Sequence, residues 1–276
     1  MKFKHKRWAE PGLRPSHQLT LALILPFLFG YDQNLPIMAS PSEAKLAQTQ
    51  TPRQKPNSSS PKTKPRKQFR FTSSNDGATG KRVGAAGTRG CSSDNNKPPL
   101  TALIPGINMG WTISERPTFW FYVPYQASST TPVEFKLTDF KDKEIYKQNL
   151  QLTNTPGIIG ITLPKNAPAL ELDQTYEWSL SINCGSKIDD VYGRVKRVKA
   201  SAEVTKQLQA NTGRDLLLVY AENSFWYDAL TGLIELLRQN PQDESLKADL
   251  EDLLKLNRIG LENIASEPIV SCCQPK

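Results

Sequence analysis

The chain has 276 residues, 38% of them hydrophobic, enough apolar material for one large domain or two small ones, and a formal charge of +8. That charge is unevenly placed: residues 1–44 carry net +2, residues 45–80 net +7 and residues 81–276 net −1. The main body is therefore close to neutral and has no basic face of its own, which excludes a nucleic-acid partner.

The first 44 residues read as a secretory signal. Lys2, Lys4, Lys6, Arg7 and Arg14 precede an apolar stretch, Leu19–Phe29, that is interrupted by Pro26 and too short to favour a retained membrane span. Small residues place cleavage after Ala44 or after Ala39. Residues 45–80 are rich in Pro, Ser, Thr and Lys, with almost no aliphatic residue, and predict a disordered basic linker. It acts either as a self-repelling spacer or as a peripheral contact to an anionic polymer or membrane surface.

Both histidines, His5 and His17, fall in the segment expected to be removed. That excludes Ser-His-Asp and Cys-His nucleophiles and imidazole-dependent zinc sites from the mature chain. The four cysteines, Cys91, Cys184, Cys272 and Cys273, do not form a C-x-x-C pattern, so no metal site is expected. In an oxidising compartment Cys91 pairs with Cys184, while Cys272 and Cys273 are left as paired elsewhere, bonded to each other or free. Glycines 84, 87 and 90 in RVGAAGTRGC are no dinucleotide fingerprint, and a P-loop is absent; no cofactor is implied.

From Leu100 to Val198 the apolar residues recur with period two. Strands are predicted in TALIP (101–105), TFWFYV (118–123), VEFKLTDF (133–140), Glu144–Leu152, GIIGITLP (157–164), TYEWSLSINC (175–184) and VYGRVKRV (191–198). Past Ala200 the period becomes helical: a run from Leu216 to Leu237 stops at Pro241, and a second helix opens at the N-cap Asp243. The expected fold is mainly β with α. It is an antiparallel immunoglobulin-like or fibronectin-like β-sandwich over 81–200, followed by a helical hairpin packed on it within 201–276.

Phe119 to Tyr122 raise a question, because a strand with one buried face needs only alternate residues apolar. Phe119, Phe121 and Val123 suit the core, which leaves Trp120 and Tyr122 needing a cover. Either the helices, with Phe225, Trp226 and Tyr227, supply it, or the pair forms a sugar or peptide platform with Arg116 and Asp228 as polar contacts; Arg116, Trp120, Tyr122, Trp226, Tyr227 and Asp228 are the candidate binding residues.

Several stretches taken together, among them SERPTFWFYVPY (114–125), YEWSLSINC (176–184) and YAENSFWYDAL (220–230), resemble the DUF928 family over roughly residues 82–265. The resemblance implies an exported cyanobacterial protein of the envelope and carries no established activity or active-site residues. The expected role is a non-catalytic extracytoplasmic interaction or scaffold protein, located in the periplasm, envelope or outside the cell. Its partner would be an envelope protein or a cell-wall polymer. Two alternatives are a glycan-binding module that uses the aromatics and a glycan hydrolase built on paired carboxylates, for which Asp139/Asp142 and Asp189/Asp190 are the candidates.

Overall fold

A computed structural model describes residues 66–72, 74, 76–78, 80–84, 91, 96–126 and 131–275. The signal segment, the linker up to residue 65 and most of the glycine loop lie outside the described residues.

Eight strands come first: β1 (Thr101–Ala102), β2 (Met109–Thr112), β3 (Thr118–Val123), β4 (Val133–Asp139), β5 (Glu144–Gln151), β6 (Gly157–Thr162), β7 (Thr175–Asn183) and β8 (Ile188–Arg197). Four helices follow, α1 (Ala202–Ala210), α2 (Gly213–Glu222), α3 (Trp226–Gln239) and α4 (Glu244–Lys255), and a short β9 (Gln274–Pro275) closes the chain. The fold is mainly β with α. One sheet has the order β1-β3-β6 and the other β2-β8-β7-β4-β5-β9.

The two sheets share an aromatic core. Phe119 and Phe121 of β3 meet Phe135 of β4 and Trp178 of β7, with ring centroids 5.0 Å apart for Phe119–Phe135 and 5.5 Å for Phe121–Trp178. In β7 each inward residue is buried and each outward one half-buried, the pattern expected of a sheet with one dry face. All six residues of β3 are buried, so both of its faces are covered. Cys91 is bonded to Cys184 with 5.5 Å between Cα atoms, and closing that span stabilises the fold by about 4–5 kcal/mol on the chain-entropy model. Cys272 and Cys273 are bonded to each other.

Three expectations are corrected. The sheets are mixed rather than wholly antiparallel, because β2 pairs parallel with β8. β2 had no sequence signature: it is four residues long and contains Gly110, where an added Cβ would lie 2.6 Å from the Tyr227 ring. The helical hairpin is four helices. The apolar run from Leu216 is broken between α2 and α3 where Ser224 takes a φ of 66°, and α1 precedes it, capped by Ser201 with no buried residue. Asp243 does cap α4, accepting the Ser245 and Leu246 N–H groups.

The third correction concerns the linker, whose last part is packed rather than disordered. Phe69 is 4% exposed beneath the Arg214 guanidinium, and Phe71 meets Trp226 edge-on at 5.2 Å. The Lys67 carbonyl accepts Arg214 Nη2 at 2.5 Å, and Arg66 and Arg214 both pair with buried Asp249. Two phenylalanines at i and i+2 supply the apolar area that the surrounding polar residues lack. Phe69→Ala is expected to destabilise the protein by about 3 kcal/mol in urea denaturation, and Arg70→Ala, an exposed neighbour, by less than about 0.5 kcal/mol.

Candidate functional site

Where α2 and α3 lean on the ends of β2, β3 and β6, they enclose a cleft of about 480 Å³. Its sheet side carries Thr112, Ser114, Arg116, Thr118 and Thr162, and its helix side Leu216, Tyr220, Asp228, Glu235 and Gln239. Helix α3 is set there by its first turn. The Trp226 indole donates to the Leu103 carbonyl at 2.8 Å. The Tyr227 hydroxyl accepts from Trp178 Nε1 at 2.8 Å, donates to the Arg194 carbonyl at 3.2 Å, and its ring packs on Phe119 at 5.4 Å. With residues 226 and 227 turned inward, residue 228 points along the loop after β2.

Asp228 accepts the Ile113 N–H at 3.1 Å and is further bonded by the Thr112 side chain and the Ser114 N–H. Burial outweighs these bonds and lifts its carboxyl from the ordinary 3.8 to about 6. Burial, and then the Asp228 charge, also push the Tyr220 phenol upward. Glu235 lies seven residues on, two helical turns along the same side of α3, and among the described residues it makes no ion pair.

Of the six binding residues expected from sequence, Arg116, Tyr227 and Asp228 border this cleft. Arg116 does so as a clamp, its guanidinium donating to the carbonyls of Pro164, Lys165 and Ala167. Trp120, Tyr122 and Trp226 are each no more than 2% exposed and lie elsewhere. Trp120 donates to Thr231 Oγ1 at 2.9 Å, lies 5.1 Å from the Arg238 guanidinium and covers Gly160 of β6, its partner in register. Burial, then the Glu267 carboxylate, hold the Tyr122 phenol above its usual range. The open aromatic platform is thus corrected: these rings fasten the helices and the C-terminal segment to the sheet.

The carboxylate pairs named from sequence are structural. Asp139 accepts the Lys141 and Lys143 N–H groups at 2.8 and 3.0 Å, and Asp142 sits at a positive-φ turn position. Asp189 is buried and accepts the Tyr125 hydroxyl, while Asp190 pairs with Lys81 at 2.8 Å. No group of three or more His, Cys, Asp or Glu that could hold a metal gathers among the described residues. Glu235 was missed, though its i+7 spacing from Asp228 was visible in the sequence.

A disulfide-closed β domain with helices locked across one end of its sheets is the class of protein these features define. The chain belongs to the family described as Domain of Unknown Function (DUF928), whose model matches residues 84–269. Comparison with curated proteins gives no match.

Because the Asp228 pKa is higher folded than unfolded, the native state keeps a proton between pH 4 and 6 that the unfolded chain loses. The group's contribution to stability therefore declines as pH rises from about 4 to about 6 and is least favourable above that. Asp228→Asn, with no charge to bury, should gain in Tm relative to the parent between about pH 4.5 and 7.5. A difference that stays constant with pH would show a carboxylate of ordinary acidity.

Proposed function

We propose that this is an exported, non-catalytic interaction or scaffold protein of the cell envelope, held together as an immunoglobulin-like sandwich with a helical cap. Strands β1, β3 and β6 occupy one sheet and β4, β7 and β8 the other, the distribution of strands A, B, E and C, F, G in that fold. The observation that carries the role is how the aromatic residues are used. Trp120, Tyr122, Trp226 and Tyr227 are all spent on joining helices and C-terminal segment to sheet, which suits a rigid body that presents a surface. Two disulfides support an oxidising compartment, as does the N-terminal basic and apolar pattern. The basic linker supports a partner of opposite charge, either an envelope protein or a wall polymer.

Glycan hydrolysis is a second reading, favoured by one observation: Asp228, raised to about 6, shares a cleft with Glu235. It ranks lower because Ile113, Ser114 and Thr112 hold the Asp228 carboxyl against the loop after β2. Hydrolysis of wall glycan by the purified chain, abolished in Asp228→Asn, would reverse that order.

Thiol trapping in fractionated cells tests the main proposal. All four cysteines should resist maleimide until a reductant is added, and the protein should be found in the envelope or the external fraction. Free thiols and a cytoplasmic location would overturn it. Capture from envelope extract by the full chain and by a chain lacking residues 45–62 then assigns the contact: partners lost with the deletion belong to the linker, and partners retained belong to the folded body.

A further inference from the structure

We propose that the cleft between the α2–α3 pair and the sheet ends is a receptor for a primary ammonium group carried on a short apolar stem. The inference is independent of the envelope role, since it rests only on what lines the cavity. At about 480 Å³ the cleft is in the size range of small-ligand pockets.

The polar groups on its sheet side are already paired with one another. Thr118 and Thr162 share a hydrogen bond of 2.8 Å, and Thr112 Oγ1 accepts the Ser114 N–H at 3.0 Å. Ser114 Oγ accepts the Arg116 N–H at 3.1 Å, and the Arg116 guanidinium is taken up by three carbonyls and by Glu115. Among the described residues Arg116 is the only cation lining the cleft, and with its guanidinium so engaged the two carboxylates on the helix side, Asp228 and Glu235, meet no free positive charge from that lining. What remains, besides the Gln239 amide and the Tyr220 hydroxyl, is acceptor capacity and negative potential from the two carboxylates. An ammonium group suits that remainder, with three donors and no acceptor.

The rest of the helix side sets the shape of the ligand. Leu216, Leu217 and Leu236 form an apolar wall, and half-buried Tyr220 stands among them. Its phenol, held above the usual range by burial and by Asp228, stays neutral, and its ring face attracts a cation at close range. In this arrangement Glu235 at the rim takes the ammonium, Asp228 adds to the field from the wall, and the methylene stem lies on the leucines. Anions are repelled, and neutral alcohols gain only the apolar contact.

The test is titration of the full-length protein with n-butylammonium, n-butanol and butyrate at low salt, followed by thermal shift and by amide chemical shifts. Saturable binding of the ammonium alone is expected, with shifts confined to α2, α3 and the loop after β2. Glu235→Lys, at an exposed position, should weaken it at least tenfold, whereas Glu222→Lys, an exposed charge reversal outside the cleft, should leave it unchanged. Putrescine and Nα-acetyl-lysine methylamide separate the two sources of such a group, a free diamine or the side chain of a peptide; tighter binding of either supports the site and names the source. Equal responses to butanol and butylammonium, or binding that survives Glu235→Lys, would overturn the proposal.

Discussion

The insertion of Trp226 and Tyr227 between the sheets is the contact on which the rest of the structure depends. A buried indole or phenol must pair its polar tip, and here the partners are fixed points of both sheets: the Leu103 carbonyl beyond β1, the Arg194 carbonyl of β8 and the Trp178 indole of β7. Those bonds set the rotation of α3 about its own axis. Once that rotation is fixed, Thr231, one turn after Tyr227, meets Trp120, and Arg238 reaches the same ring near the helix end. Asp228 is left at the cleft. Gly110 belongs to the same constraint, because a side chain there would displace the Tyr227 ring. One helical turn thus specifies how the α layer sits on the β layer and where the cleft opens.

The opposite flank of the helices depends on a charge that had to be matched. Asp249 is 3% exposed on α4, and its carboxylate is held by a two-bond Arg214 fork at 2.7 and 2.9 Å and by Arg66. Arg66 lies well before residue 84, where the family match begins. Phe69 and Phe71, which close the same flank, also precede it. The packed body is therefore longer than the matched family domain: removing the preceding segment would strip one cation from a buried carboxylate and expose one face of Trp226. Unpaired buried charge is among the costlier defects a fold can carry.

These contacts explain how much could be read from the sequence. β7 was clear because its outer face meets water, which enforces strict alternation from Tyr176 to Ile182. β3 was ambiguous for the converse reason: with helices behind it, both faces are apolar, and period two vanishes. The Cys91–Cys184 pairing was expected from an oxidising compartment, which the sequence suggested through its N-terminal segment. The β2–β8 pairing was illegible, since a four-residue strand has no measurable period and parallel register leaves no local mark. The packed segment 66–72 was hidden by composition, because two aromatics among lysines, arginines and polar residues average to a disordered signal. At the site, Arg116 and Asp228 were identified as polar residues near the aromatic block, yet only a view of the packed helices reveals that one is a clamp and the other a cleft carboxylate. Glu235 needed only the helical period, applied from Asp228.

The energetics of Asp228 bear on why a cleft should exist at that junction. Three donors, the Thr112 side chain at the end of β2 and the Ile113 and Ser114 N–H groups just beyond it, favour its ionised form, yet burial prevails and the pKa is raised, so at neutral pH the fold holds a carboxylate at net cost. Asp249 shows the remedy available to this same chain, which is a pair of arginines. At the cleft the nearby guanidinium is instead committed to the carbonyls of residues 164, 165 and 167, and Glu235 adds negative charge at the solvent-exposed rim. A packing solution would neutralise or replace the Asp228 carboxylate, because a fold loses stability by keeping a charge that burial disfavours. A concave, partly apolar surface that keeps it beside Glu235 holds negative potential ready for a positive group from outside, and a group that binds the folded state there offsets the cost of the Asp228 charge.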